Sequence, residues 1–328
     1  MTTGRARLPL LLAAALIAAL ALHLTFGAVS MPLSQVWQGL SGGDDLSFEA
    51  AVVRELRLPR AIAAALAGAG LAAAGVLMQA VTRNPLAEPG LFGLLAGAAL
   101  AVLLGRTIPA LASPDWLAPL AALGSLAGAG LVWALVRAAG DGGGLLLPAL
   151  AGSAVTAFLV ALTTLISLMD ARAFEDMRIW LSGSLAGLRL PVLAWIAPWA
   201  LAGLALAALV GPRLTILTMG DEAATGLGLN PGRLRAMALA SVVVMTAAAV
   251  AMAGPLGFVG LTVPHLLRLT GPMDQSRLLR LSMLAGAAYL VLADTLARVL
   301  IAPVEVSAGI LTALIGAPVL VALVRMRA

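Results

Sequence analysis

Long apolar runs alternate with short polar segments along the whole chain. The runs are rich in Ala, Leu and Gly and show no alternation of period two, which favours helices over the strands of a membrane barrel. Most are long enough to cross a bilayer, where backbone polar groups must be satisfied within the protein. The pattern predicts an all-α polytopic membrane protein with about ten transmembrane helices, at residues 8–27, 61–81, 90–105, 116–137, 145–168, 191–210, 236–254, 256–270, 279–300 and 306–324.

The composition supports a membrane protein. Of the 328 residues, 62% are hydrophobic and only 11% are charged, against about 25% in a typical soluble domain. The sequence has no Cys, so a disulfide framework or a thiolate metal site is impossible. All 20 basic residues are Arg; they are scattered over the loops, so the high pI reflects membrane topology rather than nucleic-acid binding.

The distribution of arginine predicts the orientation. With ten spans, both termini lie on one side, and that side receives twelve of the 20 basic residues while the other receives eight. Basic residues are enriched in cytoplasmic loops, so both termini are expected in the cytoplasm. The first run could be mistaken for a signal peptide, but its apolar core of about 20 residues exceeds a usual one, so it is expected to be retained.

Three polar segments interrupt the apolar pattern of what we interpret as a single transmembrane domain, residues 1–328. Residues 28–60 are expected to form a long outer loop. Residues 211–235 are expected to form a long inner loop. Residues 169–190 are expected outside, with a short amphipathic helix at about 172–188.

The inner loop contains the stretch GDEAATGLGLN at residues 220–230. Asp221 is expected to cap a short Ala-rich helix that begins near Glu222. Gly226, Gly228 and an Asn-Pro step then break the helix. The stretch is not a dinucleotide fingerprint, because it lacks a third glycine and a preceding strand. The chain has no Gly-Lys-Ser/Thr phosphate loop and no Lys, so it cannot itself be a P-loop ATPase.

Small residues are concentrated in LAGAGLAAAGVLMQ at 66–79 and in GSLAG, which occurs at 124–128 and again at 183–187. Such residues allow helix backbones to approach closely in lipid. The first stretch predicts a central helix that is packed on all sides, and the two GSLAG copies predict helix contacts.

Proline marks two further segments. In TRNPLAEPG, which contains Arg83, Pro85 and Pro89 are expected to stop helices, and Asn84 is expected to bond to the backbone of a tight cytoplasmic turn. In GFVGLTVPHLLRLTGP, Pro264 is expected to interrupt the eighth span, and His265 is expected to have a hydrogen-bonded structural role, since no second metal ligand lies beside it.

Charged side chains lie at the outer ends of two spans. In RELRLPR, Arg57 and Arg60 precede the second span; they fit either interfacial arginines or a docking site for carboxylates of an external protein. In LADTLARVL, Asp294 and Arg298 are four residues apart and can pair along a helix. An acid in a span also raises the possibility of a proton relay, but a shallow, paired acid favours a structural pair.

Taken together, these stretches resemble the FecCD-type permease subunits of type II ABC importers, which take up ferric siderophores, haem and cobalamin. The resemblance extends from about residue 29 to residue 324. The matching stretches follow in order as RLPR, AGAGLAAAGVLMQ, RNPLAEPGLFGLLAGA, MGDEAATGLGL, GPLGFVGLTVPHLLRLTGPMDQSR, LADTLAR and GILTALIGAPVL.

The resemblance implies the architecture and the partners. It implies the ABC type II importer permease fold in the bacterial inner membrane, a homodimer with a path along the dimer axis, a cytoplasmic ATPase dimer and a periplasmic binding protein. ATP and Mg would be bound by the ATPase, and the chain itself would hold no cofactor. The helix at 145–168 and the short helix after it would line and gate the path.

The resemblance also assigns roles to residues. Arg57, Arg60 and Arg298 would receive glutamates of the binding protein. The cytoplasmic gate, which would close by excluding water, falls on Gly143, Gly144, Leu145 and Leu146. The ATPase-coupling residues would be Gly220, Asp221, Glu222, Ala223, Thr225, Gly226, Leu227 and Gly228.

Two other classes of protein were weighed against a permease. An ion-coupled secondary transporter needs a midplane acid or an ion site, and Asp294 is the one candidate. A membrane-embedded enzyme needs a catalytic constellation, and none is visible, because His23 and His265 lie far apart in the sequence. The cargo stays open among haem, ferric siderophore and cobalamin, with an iron chelate favoured by the family.

Overall fold

The computed structural model describes residues 3–27, 30–41, 47–140, 147–302 and 304–325. Over these ranges the regular structure is helical, without strands. The α-helices, numbered in chain order, are α1 (Thr3–Thr25), α2 (Leu33–Ser41), α3 (Phe48–Ala51), α4 (Leu58–Thr82), α5 (Leu94–Thr107), α6 (Leu117–Ala138), α7 (Leu147–Met169), α8 (Ala171–Leu181), α9 (Leu190–Met219), α10 (Asp221–Gly226), α11 (Pro231–Ala253), α12 (Val259–Leu269), α13 (Gln275–Val299) and α14 (Ala308–Arg325).

Seven helical stretches within the described ranges are long and apolar enough to cross a membrane, and three shorter apolar helices, α5, α12 and α14, accompany them. These ten elements lie at the positions of the ten predicted spans, which confirms the all-α polytopic fold. The seven long stretches are Arg7–Thr25, Phe48–Thr82, Pro114–Ala138, Leu147–Met169, Leu190–Met219, Pro231–Ala253 and Gln275–Val299.

The two ends of the bundle are named here for the orientation that the arginine distribution predicts. The inner end carries α10 and the end of α4 at Thr82. The outer end carries the start of α4 at Leu58 and the end of α13 at Val299.

The most buried span is the one that contains α4. Within its most apolar window 83% of the residues are buried, and α4 packs against α9, α11, α12 and α13. The predicted central helix at residues 66–79 is therefore confirmed, and the other elements of the bundle are arranged around it.

Glycines set the distance between α4 and two of its neighbours. A Cβ added to Gly68 would lie 2.2 Å from the carbonyl oxygen of Gly286 on α13, and one added to Gly75 would lie 1.8 Å from the carbonyl oxygen of Gly260 on α12. No side chain fits at such contacts. Because lipid is as apolar as the side chains, this close backbone packing, rather than removal of apolar surface from water, holds the helices together.

The first GSLAG copy packs as predicted. A Cβ on Gly124 would lie 2.3 Å from the carbonyl oxygen of Gly97, and one on Gly128 would lie 2.2 Å from that of Gly93, so α5 and α6 meet along these small residues. In the second copy, Gly183 follows the end of α8 with a φ of +75°, and a Cβ added there would lie 2.7 Å from the carbonyl oxygen of Pro255.

Pro264 does not interrupt its helix, contrary to the prediction. The α12 helix runs through it from Val259 to Leu269. Proline lacks the N–H that would bond to the carbonyl four residues earlier, which here belongs to Gly260. The side-chain amide of Gln79 on α4 donates to that carbonyl instead, at 3.2 Å. The group freed by the proline is thus satisfied by the central helix.

Two of the predicted loops are largely helical. Residues 28–60 include α2 and α3, and a π-helical turn, Val52–Arg57, continues α3 directly into α4. The predicted inner loop 211–235 is also too long, because α9 continues to Met219. Thr215 near that end accepts the N–H of Gln275 at the start of α13, at 3.2 Å. A hydropathy pattern does not reveal this tertiary hydrogen bond and therefore does not predict that α9 continues to Met219.

The short outer helix α8 ends at Leu181, earlier than the predicted 188. The predicted gate, Gly143, Gly144, Leu145 and Leu146, lies outside the described residues and stays a prediction.

Adding one methyl group at the α4–α12 contact is expected to destabilise the protein. Gly75→Ala places a Cβ against the Gly260 backbone and forces the helices apart, at a cost on the order of 3 kcal/mol. The matched control is Gly130→Ala on α6, where a Cβ meets nothing within 4 Å and the change gains about 0.5–1 kcal/mol. The measurement is the thermal unfolding midpoint of the purified protein in detergent, and equal midpoints for the two variants would contradict the packing argument.

Candidate functional site

Three predicted docking arginines come together at the outer end. Arg57 ends the π-helical turn, Arg60 lies in the first turn of α4, and Arg298 lies in the last turn of α13. The position of a Cβ on Gly27 is 3.3 Å from Nη1 of Arg298 and 3.7 Å from Nη2 of Arg57. We call these three residues the outer arginine cluster. They line a cavity of about 370 Å³ together with Glu305.

The outer arginine cluster is organised around Asp294, whose side chain is fully buried. Arg60 binds it with two hydrogen bonds, Nε to Oδ2 at 2.8 Å and Nη2 to Oδ1 at 3.0 Å. His23 on α1 contacts Oδ2 through Nε2 at 2.9 Å. The expected pairing with Arg298 along α13 is the longest of these contacts, at 3.7 Å from Nε to Oδ2. The closest partners of Asp294 thus come from other helices.

Several other donors of the cluster also bind this chain. Arg60 Nη1 donates to Oε2 of Glu305 at 2.8 Å, and Arg298 Nη2 donates to the carbonyl of His23 at 2.9 Å. Arg57 Nη1 donates to the carbonyl of Thr25 at 2.9 Å. The three arginines are therefore held in fixed positions. The sequence offers no motif that marks His23 or Glu305, although a polar side chain in an apolar run is itself a signal.

The inner end carries the predicted coupling segment, residues 220–230. Gly220, with a φ of +126°, precedes the six-residue helix α10. Gly228 has a φ of +75°, and Asn230 then caps α11 by accepting the N–H of Arg233 at 2.9 Å. A short helix between two glycine breaks is present as predicted. Its exposed members are Asp221, Glu222, Thr225, Gly226, Leu227 and Gly228, whereas Gly220 and Ala223 are partly buried.

Asp221 does not cap α10, contrary to the prediction. Gly220 is the capping residue, and no side chain caps this end. The Asp221 carboxylate binds Nη2 of Arg83 at 2.7 Å, and Nη2 and Nη1 of Arg235 at 2.5 and 2.9 Å. The hydrogen bond from Arg235 holds the pKa of Asp221 below its ordinary value. The local sequence fits a helix cap, but the carboxylate binds two arginines from other segments instead of the N–H groups of α10.

The turn after α4 has the predicted form. Arg83 ends the helix with a φ of +51°. Asn84 accepts the N–H of Leu86 through Oδ1 at 2.9 Å, and Pro85 lies within this turn. Arg83 also donates to the carbonyl of Leu217 at 3.2 Å, which attaches the end of α4 to α9.

The same segment contains Glu88, which lies within the matching stretch RNPLAEPGLFGLLAGA but received no role from the sequence motifs. Its Oε1 accepts the N–H of Phe258 at 2.6 Å. Phe258 precedes α12 and has a φ of +67°, so Glu88 satisfies a free N–H at the start of this helix from another part of the chain. Burial raises the pKa of the Glu88 carboxyl above its ordinary value. Pro264 and His265 are both buried on α12.

A further cavity lies between α7 and α8, the elements expected to line the path. Its volume is about 430 Å³, and it is lined by residues that include Thr163, Thr164, Ser167 and Phe174. The three hydroxyls donate to carbonyls of their own helix, at 2.7 to 2.9 Å. Because these hydroxyl groups are occupied within α7, the side chains present a largely apolar wall to the cavity.

The helical bundle defines a multi-pass membrane protein, and comparison with known proteins identifies it as a transport protein. The FecCD transport family matches residues 15–326. The chain belongs to this family. It is a permease subunit of an ABC importer, which confirms the function class that the sequence motifs predict.

Individual relatives match over nearly the full chain. The chain is 36% identical over 310 residues to the "Probable siderophore transport system permease protein YfiZ" of Bacillus subtilis (strain 168), covering 94% of this chain and 93% of the relative. It is 39% identical over 316 residues to the ferric enterobactin transport system permease protein FepD of Escherichia coli (strain K12), covering 95% and 93%. A solved structure described as "An inward-facing conformation of a putative metal-chelate type ABC transporter" matches with a TM-score of 0.84 and 29% identity, covering 96% of this chain and 97% of that chain.

Removal of the buried charge at the outer end is expected to destabilise the protein strongly. Asp294→Asn leaves Arg60 buried without its two-bond partner, at a cost of about 3–5 kcal/mol. The control is Glu305→Gln, because the Glu305 side chain is 35% exposed and such a pair contributes about 1 kcal/mol or less. Thermal unfolding in detergent measures both variants. The account of this cluster is wrong if Glu305→Gln costs as much as Asp294→Asn.

Stability should depend on pH through Glu88. Its pKa is raised in the folded protein, so its contribution is greatest below the ordinary glutamate pKa and is lost as the pH rises through the raised value. Glu88→Gln keeps an acceptor for the Phe258 N–H and removes the titration. We expect the variant to be more stable than the parent at neutral pH, with the difference shrinking as the pH falls. Unfolding midpoints across this range test the prediction, and a difference independent of pH would contradict it.

Proposed function

We propose that this permease passes an iron chelate of the siderophore class from an external binding protein into the cytoplasm by alternating access. The observation that carries the proposal is the near-full-length similarity to permeases named for siderophore and ferric enterobactin transport. The metal-chelate type structure with the same fold supports the same class of cargo.

The proposed assembly contains two copies of this chain, a cytoplasmic ATPase dimer and an external binding protein. It lies in the bacterial inner membrane with both termini in the cytoplasm. ATP and Mg are bound by the ATPase, and this chain holds no cofactor and carries out no hydrolysis. In this assembly the second copy would cover part of the lightly buried α7, along which Leu150, Phe158 and Leu165 are exposed.

The outer arginine cluster is the proposed docking site for acidic side chains of the binding protein. Three guanidiniums converge there against two carboxylates, those of Asp294 and Glu305. Internal hydrogen bonds hold the arginines in place, so little side-chain entropy is lost when a partner binds.

The coupling segment is the proposed contact with the ATPase. Leu227 and Met219 are large apolar side chains that are 63% and 69% exposed at the inner end, beside the exposed carboxylate of Glu222. An apolar surface with a charged rim is typical of a protein interface. The predicted gate at Gly143, Gly144, Leu145 and Leu146 would close the path by excluding water.

Transport in reconstituted vesicles tests the proposal. The permease and its ATPase are placed in proteoliposomes, and the binding protein is added with a radiolabelled ferric siderophore, haem or cobalamin. We expect uptake of the ferric siderophore that requires ATP on the ATPase side and stops with an ATPase variant that cannot hydrolyse it. Preferred uptake of haem or cobalamin would overturn the cargo. Uptake driven by a proton gradient without the ATPase would overturn the mechanism.

A further inference from the structure

One carboxylate at the inner end joins segments that are far apart in the sequence. Asp221, the first residue of α10, binds Arg83 at the end of α4 and Arg235 in the second turn of α11. Arg83 also donates to the carbonyl of Leu217 on α9. We call Arg83, Asp221 and Arg235 the inner joint. It attaches the short helix to the ends of three long ones.

The backbone at the joint supports a role beyond surface charge. Arg83 adopts a φ of +51°, a conformation that is uncommon for residues other than Gly and persists where the surroundings hold it. The bonds to Asp221 and Leu217 provide such a restraint. The ordinary C-cap for this conformation is Gly, and Gly could make neither of these side-chain bonds.

Glycine breaks flank α10 on both sides. Gly220 precedes it with a φ of +126° and Gly228 follows it with a φ of +75°. No atom lies within 4 Å of an added Cβ at either position, so packing does not restrain these two points. A six-residue helix between two such points is held by the buried side chain of Ala224 and by side-chain bonds. The inner joint supplies those bonds.

The inner joint is attached to α4, which belongs to the most buried of the described spans. Arg83 immediately follows α4, whose backbone is locked against α12 and α13 by Gly75 and Gly68. At the opposite end of the same helix, Arg60 is bound to Asp294. A displacement of Arg83 therefore acts on a rigid element that extends to the outer arginine cluster.

The neighbouring acid provides a contrast. Glu222 is exposed, and among the described residues it makes no ion pair. The two consecutive acidic residues thus differ in their partners: arginines of this chain bind Asp221, whereas Glu222 is exposed and unpaired among the described residues. Of the two, only Glu222 has a carboxylate that an ATPase can bind without first breaking bonds to arginine.

We propose that Asp221 is a positioning residue that fixes α10 to the inner end of α4, so that movement of α10 by the ATPase is passed to the central helix. This inference rests on the proposed function and deepens it. Without the joint, α10 turns on Gly220 and Gly228, and the movement is absorbed in the loop. The ATPase stays bound in that case, because its contact surface on α10 is intact.

The absence of Cys from the sequence allows a direct test of the joint. Two exposed residues, Leu227 and Leu86, are replaced by Cys and spin-labelled, and the distance between the labels is measured by pulsed electron paramagnetic resonance in the full chain. We expect a narrow distance distribution in this background and a distribution at least twice as broad after Asp221→Asn. The matched control is Asp274→Asn, the same change at the start of α13, where Asp274 caps the helix outside the joint.

The second measurement is transport per ATP hydrolysed in the complete complex. Asp221→Asn should lower this ratio at least tenfold while the ATPase still co-purifies, and Asp274→Asn should leave it within twofold. Asp221→Glu, which keeps the charge, should restore part of the loss. The double variant Arg83→Gln with Asp221→Asn should be no worse than the poorer single variant, since the two residues act as one unit.

The outcomes separate the two proposals. An unbroadened distance distribution in Asp221→Asn overturns the joint, whatever the transport result. A broadened distribution with unchanged transport per ATP overturns the transmission of movement. If the parent complex shows no ATP-driven uptake, the proposed function fails, and the distance measurement still decides whether Asp221 fixes α10.

Discussion

Close packing of α4 is the constraint on which the rest of the structure depends. In a bilayer, moving an apolar side chain from lipid into a helix interface yields no hydrophobic free energy. Helices therefore associate where their backbones can approach closely. Gly68 and Gly75 bring α4 against the backbones of Gly286 and Gly260. The same contact compensates for the backbone hydrogen bond that Pro264 cannot make, since Gln79 on α4 donates to the carbonyl that the proline leaves free.

The charged groups at the two ends of α4 are held in different ways. At the outer end Asp294 is fully buried. A buried charge without a partner is strongly destabilising, so the bonds of Asp294 to Arg60 and His23 are needed for stability. At the inner end Asp221 is half exposed, and its bonds to two arginines add little to stability but join α10 to α4 and α11. The outer end thus holds a buried ion pair and carries the proposed docking site, and the inner end carries the proposed link between α10 and α4.

Several predictions failed for one reason, which is that a local pattern does not contain distant partners. Asp221 has the sequence of a helix cap, yet arginines from α4 and α11 bind it. Asp294 has Arg298 one turn away, yet Arg60 lies closer to it. The sequence predicts an end for this span near residue 210, because polar residues follow, whereas a hydrogen bond to the start of α13 stabilises α9 beyond that point.

The sequence by itself determined the class of protein, the number and order of the membrane elements, the central helix and the family. These follow from hydropathy, small-residue spacing and ordered motifs, all of which are local properties of the chain. Only the tertiary structure decided which side chains bind each other: His23 with Asp294, Arg60 with Glu305, Glu88 with the start of α12, and Asp221 with Arg83 and Arg235. Such pairs join residues brought together by helix packing, and packing geometry is a property of the whole fold.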